Sequence, residues 1–298
     1  MKLFPRPVPL LVLLFLYSSN FASPWKYSIN ASTSCALNTQ SQNYNGNCAG
    51  SFMWSVLVNQ LLSKNFGTIR YENTLDIGFG QTRQKNENTR KWSSPDITTD
   101  LISFQSILKF NSKNLKNTFA SFTFNSQFVN TMEENNKRFL TPIELKESFG
   151  IYKKGCSGSS LSWRASLGGT LRQEFQHHAA VYDSNITICG FKNRVINDGG
   201  FEIKSDLLFT NKSWLTISSR ISFYQALFRP QYYEIYNNTW YYPDIIWDSS
   251  VDLNVTSFFS FRYLLHFSFN KDLSSKPFIK QTLGASFSFS RSGKKSRS

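Results

Sequence analysis

His266 and Ser268 stand two residues apart in the stretch Phe259-Ser-Phe-Arg-Tyr-Leu-Leu-His-Phe-Ser-Phe269, and a histidine beside a serine is the minimum needed to activate a hydroxyl nucleophile. The chemistry would be acyl transfer, with the imidazole as general base and a third polar group orienting it. On an extended strand both side chains, with Arg262, share one face, and residue parity offers no unambiguous orienting group. A satisfied polar-face histidine is the expectation, and a His266/Ser268 hydrolase the alternative. His177-His178 reads as a solvated pair in a loop, and no Cys/His zinc spacing occurs, so no metal or other cofactor is expected. Cys35 and Cys48 flank an Asn/Gln/Ser-rich loop and could close a hairpin end as a disulfide in an oxidising compartment. Cys156 and Cys189 lie beyond opposite ends of a long strand, 160–175, some 50 Å apart at roughly 3.3 Å per residue, and are expected not to pair.

The strand carrying His266 places Phe259, Phe261, Tyr263, Leu265, Phe267 and Phe269 on one face, against Ser260, Arg262, Leu264, His266 and Ser268 on the other. Its length is about what a tilted β-strand needs to cross a bilayer. The same alternation recurs at 25–37, 52–58, 69–79, 102–110, 120–128, 143–152, 160–175, 201–209, from Trp214 onward, at 245–253 and at 278–289. Hydrophilic connections such as 84–94, 129–142, the more than twenty residues between 175 and 201, and 231–243 alternate with short turns such as 111–117. That pattern predicts an all-β fold: a single antiparallel transmembrane β-barrel of about 12 strands, with long extracellular loops, short periplasmic turns and a periplasmic N-terminus.

Residues 1–22 carry Lys2 and Arg6, an apolar run from Leu10 to Leu16, and Ala22 before Ser23, the layout of an export signal. The expected organisation is therefore a signal peptide over 1–22, a barrel over 23–290 and a basic tail over 291–298. The net charge of +14 is carried in part by Lys2, Arg6, Arg291, Lys294, Lys295 and Arg297, outside that barrel, and the rest is dispersed. An exported chain with scattered cations argues against nucleic acid and for anionic lipid headgroups. With 28 Phe, 13 Tyr and 7 Trp the chain has ample apolar surface for strands, yet no apolar run beyond the N-terminus is long enough for a spanning helix. Asn30, Asn185, Asn211, Asn237 and Asn254 each head a glycosylation triplet, which chance supplies readily in an Asn/Ser/Thr-rich chain.

The polar faces of the strands carry Arg70, Arg164, Arg172, Lys204, Arg220, Arg262 and Lys280 against Glu72, Asp76, Glu202, Asp206, Asp248 and Asp252, with His266 among them. Arg or Lys facing lipid costs about 2–4 kcal/mol at the bilayer midplane, so this face is read as the lumen lining. A selective porin, kept as a further alternative, would show an excess of one sign. Near balance predicts an ion-pair network that fills a small barrel, leaving a structural or docking barrel, with loops 83–96 and 228–243 as docking surface, or a narrow passive channel for a small solute.

Tyr71-Glu-Asn-Thr-Leu-Asp-Ile-Gly-Phe-Gly80, Asp100-Leu-Ile-Ser, Ser148-Phe-Gly-Ile151, Trp247-Asp and Phe269-Asn-Lys-Asp272 resemble the pattern of uncharacterised Gram-negative outer-membrane barrel families of the domain-of-unknown-function type. Members commonly show Asn-Trp and paired Gly where this chain has Asn47-Cys48-Ala49-Gly50. The resemblance implies an outer-membrane address and insertion by the barrel assembly machinery, and carries over no catalytic residue. Phe289 is similar to the terminal aromatic of such barrels, though further residues follow it. His266-Phe267-Ser268 resembles the His-x-Ser motif of outer-membrane phospholipases, twelve-stranded barrels in which the pair faces lipid. Here parity turns the pair to the lumen, and the overall reading is a non-enzymatic barrel.

Overall fold

Alternation makes each strand two-faced, and a closed ring is the arrangement that gives all such strands a common inside and leaves no unpaired edge. A computed structural model of the protein describes residues 25–39, 48–86, 89, 91–112, 115–128, 140–182, 188–211, 214–228, 242–270 and 276–295. The export segment expected at 1–22 and most of the docking stretch 228–243 lie outside the described residues. The strands are β1 (Trp25–Thr39), β2 (Cys48–Phe66), β3 (Ile69–Asn86), β4 (Asp96–Asn111), β5 (Lys116–Ser126) and β6 (Ile143–Ser157). They continue as β7 (Leu161–Tyr182), β8 (Ile188–Asn211), β9 (Leu215–Phe228), β10 (Asp244–Asn254), β11 (Phe259–Phe269) and β12 (Phe278–Lys295). Each pairs antiparallel with its neighbours in sequence, and β12 closes on β1. Following the register once around from Trp25 returns to β1 about twenty residues further along, a stagger that tilts the strands and widens the barrel relative to a small-shear ring of the same strand number.

Two expectations are corrected. The basic tail does not begin at 291: residues 291–295 complete β12, with Arg291 opposite Ile29 and Lys295 opposite Trp25. Closure at this end requires the last strand to reach the start of β1, because an unmatched stretch from Trp25 to Ile29 would expose its backbone donors and acceptors. The connection between β7 and β8 is mostly strand, paired out to Tyr182 opposite Ile188. Val181, Tyr182, Ile188, Phe191 and Val195 are good strand formers, so this hairpin continues past the stretch where alternation is clear. His177-His178 therefore lies at a bulge within β7, between Gln176 and Ala179, and not in a loop.

The burial pattern is inverted relative to a soluble domain. Among the described residues the buried hydrophobics are Ile196, Tyr224 and Ala226, whereas Glu72, Arg172, Asp198, Glu202, Asp252 and Ser286 are buried. Large apolar side chains cover the outside, with Leu283 70% exposed, Phe289 64%, Phe149 60% and Phe261 50%. Near the short-turn end Trp25 packs edge-on against Phe66 and Tyr71, and the Lys64 ammonium lies over the Trp25 and Phe66 rings. At Gly150 an added Cβ would lie 2.1 Å from the Leu167 carbonyl oxygen, so the approach of β6 to β7 requires glycine there.

Candidate functional site

Cross-strand register decides which polar side chains meet. Opposite each other stand Asp252 and Arg262, Asp248 and His266, Asp206 and Arg220, and Asp206 and Arg164. Each of these pairings becomes a contact. Arg262 Nε donates to Asp252, while His266 Nδ1 lies 2.6 Å from Asp248 Oδ1. Arg220 Nε donates to Asp206 Oδ1 at 2.8 Å, and Arg164 Nε lies 3.6 Å from Oδ2 of the same carboxylate. Asp76 accepts from Asn59 Nδ2, and Lys204 Nζ is 2.7 Å from Glu202 Oε2. Glu72 sits among three cations: Arg70 Nε at 2.6 Å, the Lys109 ammonium, and Arg164 Nη1 at 3.9 Å.

Several contacts join strands that are not neighbours, and in a closed ring such contacts pass through the interior. Arg164 on β7 reaches Glu72 on β3, and Arg172 on β7 reaches Asp244 on β10 at 2.7 Å. Lys280 on β12 donates to the Thr98 carbonyl on β4. The most enclosed group is built around Arg172. Its Nε donates to Asp198 Oδ1 at 3.0 Å and its Nη2 to Oδ2 at 2.5 Å, a bidentate pair, while the Tyr224 hydroxyl donates to Asp198 at 2.6 Å and its ring lies under the guanidinium. Beside it Lys146 Nζ is 3.2 Å from Glu144, which also accepts from Asn125.

This network fills the part of the barrel bounded by β5 to β10 toward the long-loop end. Beside it the interior holds a cavity of about 1410 Å³. Its lining runs from Cys156 and Ser162, at the short-turn ends of β6 and β7, to Thr98 and Phe278, at the long-loop ends of β4 and β12. Arg70, Glu72, Arg164, Asp206, Arg220, Asp248, Asp252, Arg262, His266 and Lys280 border it, together with a hydroxyl-rich wall in which Ser218 and Ser250 lie 2.8 Å apart. The expectation of a filled interior thus describes only part of the barrel. Most ion pairs lie along the wall between adjacent strands instead of spanning the ring, so balanced charge does not close it.

Sequence reasoning missed Lys109, Lys146, Glu144, Asp198, Asp244 and Tyr224 in the interior, and Asp248 as the group beside the His266 imidazole. Register was the signal that could have found Asp248, since the turn 255–258 puts it directly opposite His266. Among the described residues no hydrogen bond joins Ser268 to His266, whose ring instead packs edge-on against Phe278 at 6.0 Å. The disulfide expected between Cys35 and Cys48 is not formed: Cys35 is a free thiol. It stands opposite Trp54, six residues along β2 from Cys48, or about 20 Å at 3.3 Å per residue, well beyond disulfide reach. Cys156 is also free, and it faces the cavity.

No family model matches the chain, and no curated protein does. Solved structures similar to it include an outer membrane channel from Pseudomonas putida F1, 7% identical, with 93% of this chain and 98% of that one covered at a TM-score of 0.42. The translocator domain of the autotransporter NalP from Neisseria meningitidis is 9% identical, with 93% and 92% covered at 0.33. OprB of Pseudomonas putida is 9% identical, with 90% and 94% covered at 0.35.

Proposed function

We propose that the protein is a bacterial outer-membrane barrel that provides a narrow passive channel for small solutes and catalyses no reaction. The observation that carries this reading is the cavity, bordered by charged and hydroxyl side chains, that extends from the short-turn to the long-loop end of a ring whose outer face is apolar. An outer face with this much exposed Phe, Leu and Ile is unstable in water and suits hydrocarbon. The aromatic cluster of Trp25, Phe66 and Tyr71, with Lys64 reaching over it, suits a headgroup interface and anionic lipid. In this reading the short turns and both strand termini face the periplasm, the long connections face outward, and the barrel assembly machinery inserts the chain after export.

Planar-bilayer recording of refolded protein tests it. The expected result is small, stable conductance steps, because the network around Arg172 occupies part of the cross-section. Silence over many insertions would leave a structural or docking barrel as the better account.

The 2.6 Å contact between Asp248 and His266 favours a second reading, a hydrolase with Ser268 as nucleophile, since a carboxylate at Nδ1 is what orients an imidazole base. Geometry weighs against it. Ser268 is on the same strand as His266 and not hydrogen-bonded to it, and Phe278 packs against the ring. His266→Ala and Ser268→Ala should each leave any ester or phospholipid hydrolysis by the purified barrel unchanged. Loss of such activity in both variants would establish the hydrolase.

A further inference from the structure

Two pairs of like charges face each other directly across strand boundaries at the short-turn end. Arg70 stands opposite Lys109 on β3 and β4, and Lys154 stands opposite Arg164 on β6 and β7. Like charges placed directly opposite on a sheet are destabilising, and a strand under no other constraint would separate them. Here all four side chains border the same cavity, and the contact of Arg164 with Glu72 across the interior draws the two pairs together. Glu72 is the carboxylate among them, and its side chain and that of its partner Lys109 are only 10% and 11% exposed, whereas those of Arg70 and Arg164 are 46% and 43% exposed. The carboxylate is therefore withdrawn into the wall and the guanidinium groups project into the space. Lys154 is exposed and has no carboxylate partner among the described residues. Asp206 adds one further negative charge, but it is shared between Arg164 and Arg220.

We propose that Arg70, Lys109, Lys154 and Arg164 form a binding site, at the short-turn mouth of the cavity, for a doubly charged oxyanion, the phosphate group of a small solute. The proposal rests on the channel reading given above and assigns that channel its class of solute. Guanidinium forks offer paired N–H donors that match tetrahedral oxyanions, the Lys154 ammonium adds a further cation, and Lys109, bonded to Glu72 in the wall, contributes positive charge from behind. Glu72 and Asp206 orient the arginines and keep the site from collapsing under its own repulsion. They leave it net positive.

Titration calorimetry with inorganic phosphate, on the full barrel in detergent, tests the site without requiring conductance. Wild type should take up phosphate, and Lys154→Gln should weaken uptake by roughly tenfold or more; because Lys154 has no carboxylate partner among the described residues, that variant should fold normally. Arg70→Gln should act in the same direction, while Lys280→Gln, at the long-loop end of the cavity, should not. Cys156, two residues from Lys154 and facing the same cavity, gives a second readout in a variant whose other cysteines are serine. Phosphate should slow its modification by an anionic thiosulfonate. No uptake by wild type, or equal uptake by wild type and Lys154→Gln, would overturn the proposal. Conductance steps without phosphate uptake would sink the site and leave the channel standing, whereas uptake by a barrel that never conducts would support the site and remove the channel.

Discussion

Replacing Arg172 by leucine should destabilise the folded barrel by about 3–5 kcal/mol, the largest loss expected from any single interior charge. The reason is what the change leaves behind. Asp198 has a fully buried side chain and accepts from both Nε and Nη2 of Arg172, while Asp244 loses its Arg172 contact in the same step. Tyr224 continues to donate to Asp198, but a neutral hydroxyl does not replace the charge of the guanidinium beside a buried carboxylate. The double variant Arg172→Met with Asp198→Asn should recover most of the loss, because it removes the uncompensated charge along with the pair. Guanidinium unfolding in lipid vesicles, followed by tryptophan fluorescence and gel mobility, measures both. A single variant within about 1 kcal/mol of wild type would show that the network contributes little beyond filling space.

That network also shows where sequence reasoning reached its limit. Arg172 was legible as a polar-face residue because β7 alternates clearly from Leu161 to Phe175, where one face meets apolar surroundings. Its partner Asp198 lies on β8 between Asn197 and Gly199, a polar stretch with no two-sided pattern, and it read as loop. Alternation is imposed only where the two faces of a strand meet different solvents. Where β7 and β8 extend toward their connection, that demand lapses, and only hydrogen-bonded pairing reveals the strand. By contrast β11 was legible from Phe259 to Phe269, since all of it separates an apolar exterior from a polar interior. Partner identity is a different limit. Asp248 meets His266, and Lys109 meets Glu72 and Arg70, through registers set by turn lengths, and parity along a single strand carries no information about register.

Cutting the two contacts that bridge the interior across the most strands, Arg164 with Glu72 and Lys280 with Thr98, should raise conductance by about twofold, since the width of a narrow polar pore is set by the side chains reaching across it. The contacts narrow the cavity at different levels, Arg164 near the short turns and Lys280 near the long connections, so either can be limiting. Lys280→Ser alone tests the upper level without touching the Arg70 and Lys154 mouth. Arg164→Ser opens the lower level and also removes a cation from it, so its conductance change should come with a shift of reversal potential toward cations. Neither substitution strands a buried charge. Glu72 keeps Arg70 and Lys109, Asp206 keeps Arg220, and the Thr98 carbonyl remains free to bind water in the cavity. Stability should therefore fall far less than for Arg172→Leu, and the double variant should widen the pore in a barrel that still resists denaturant. Unchanged conductance in Arg164→Ser/Lys280→Ser, with folding intact, would mean that the restriction lies elsewhere, and the Arg172 network would then be the part of the barrel that sets the flow.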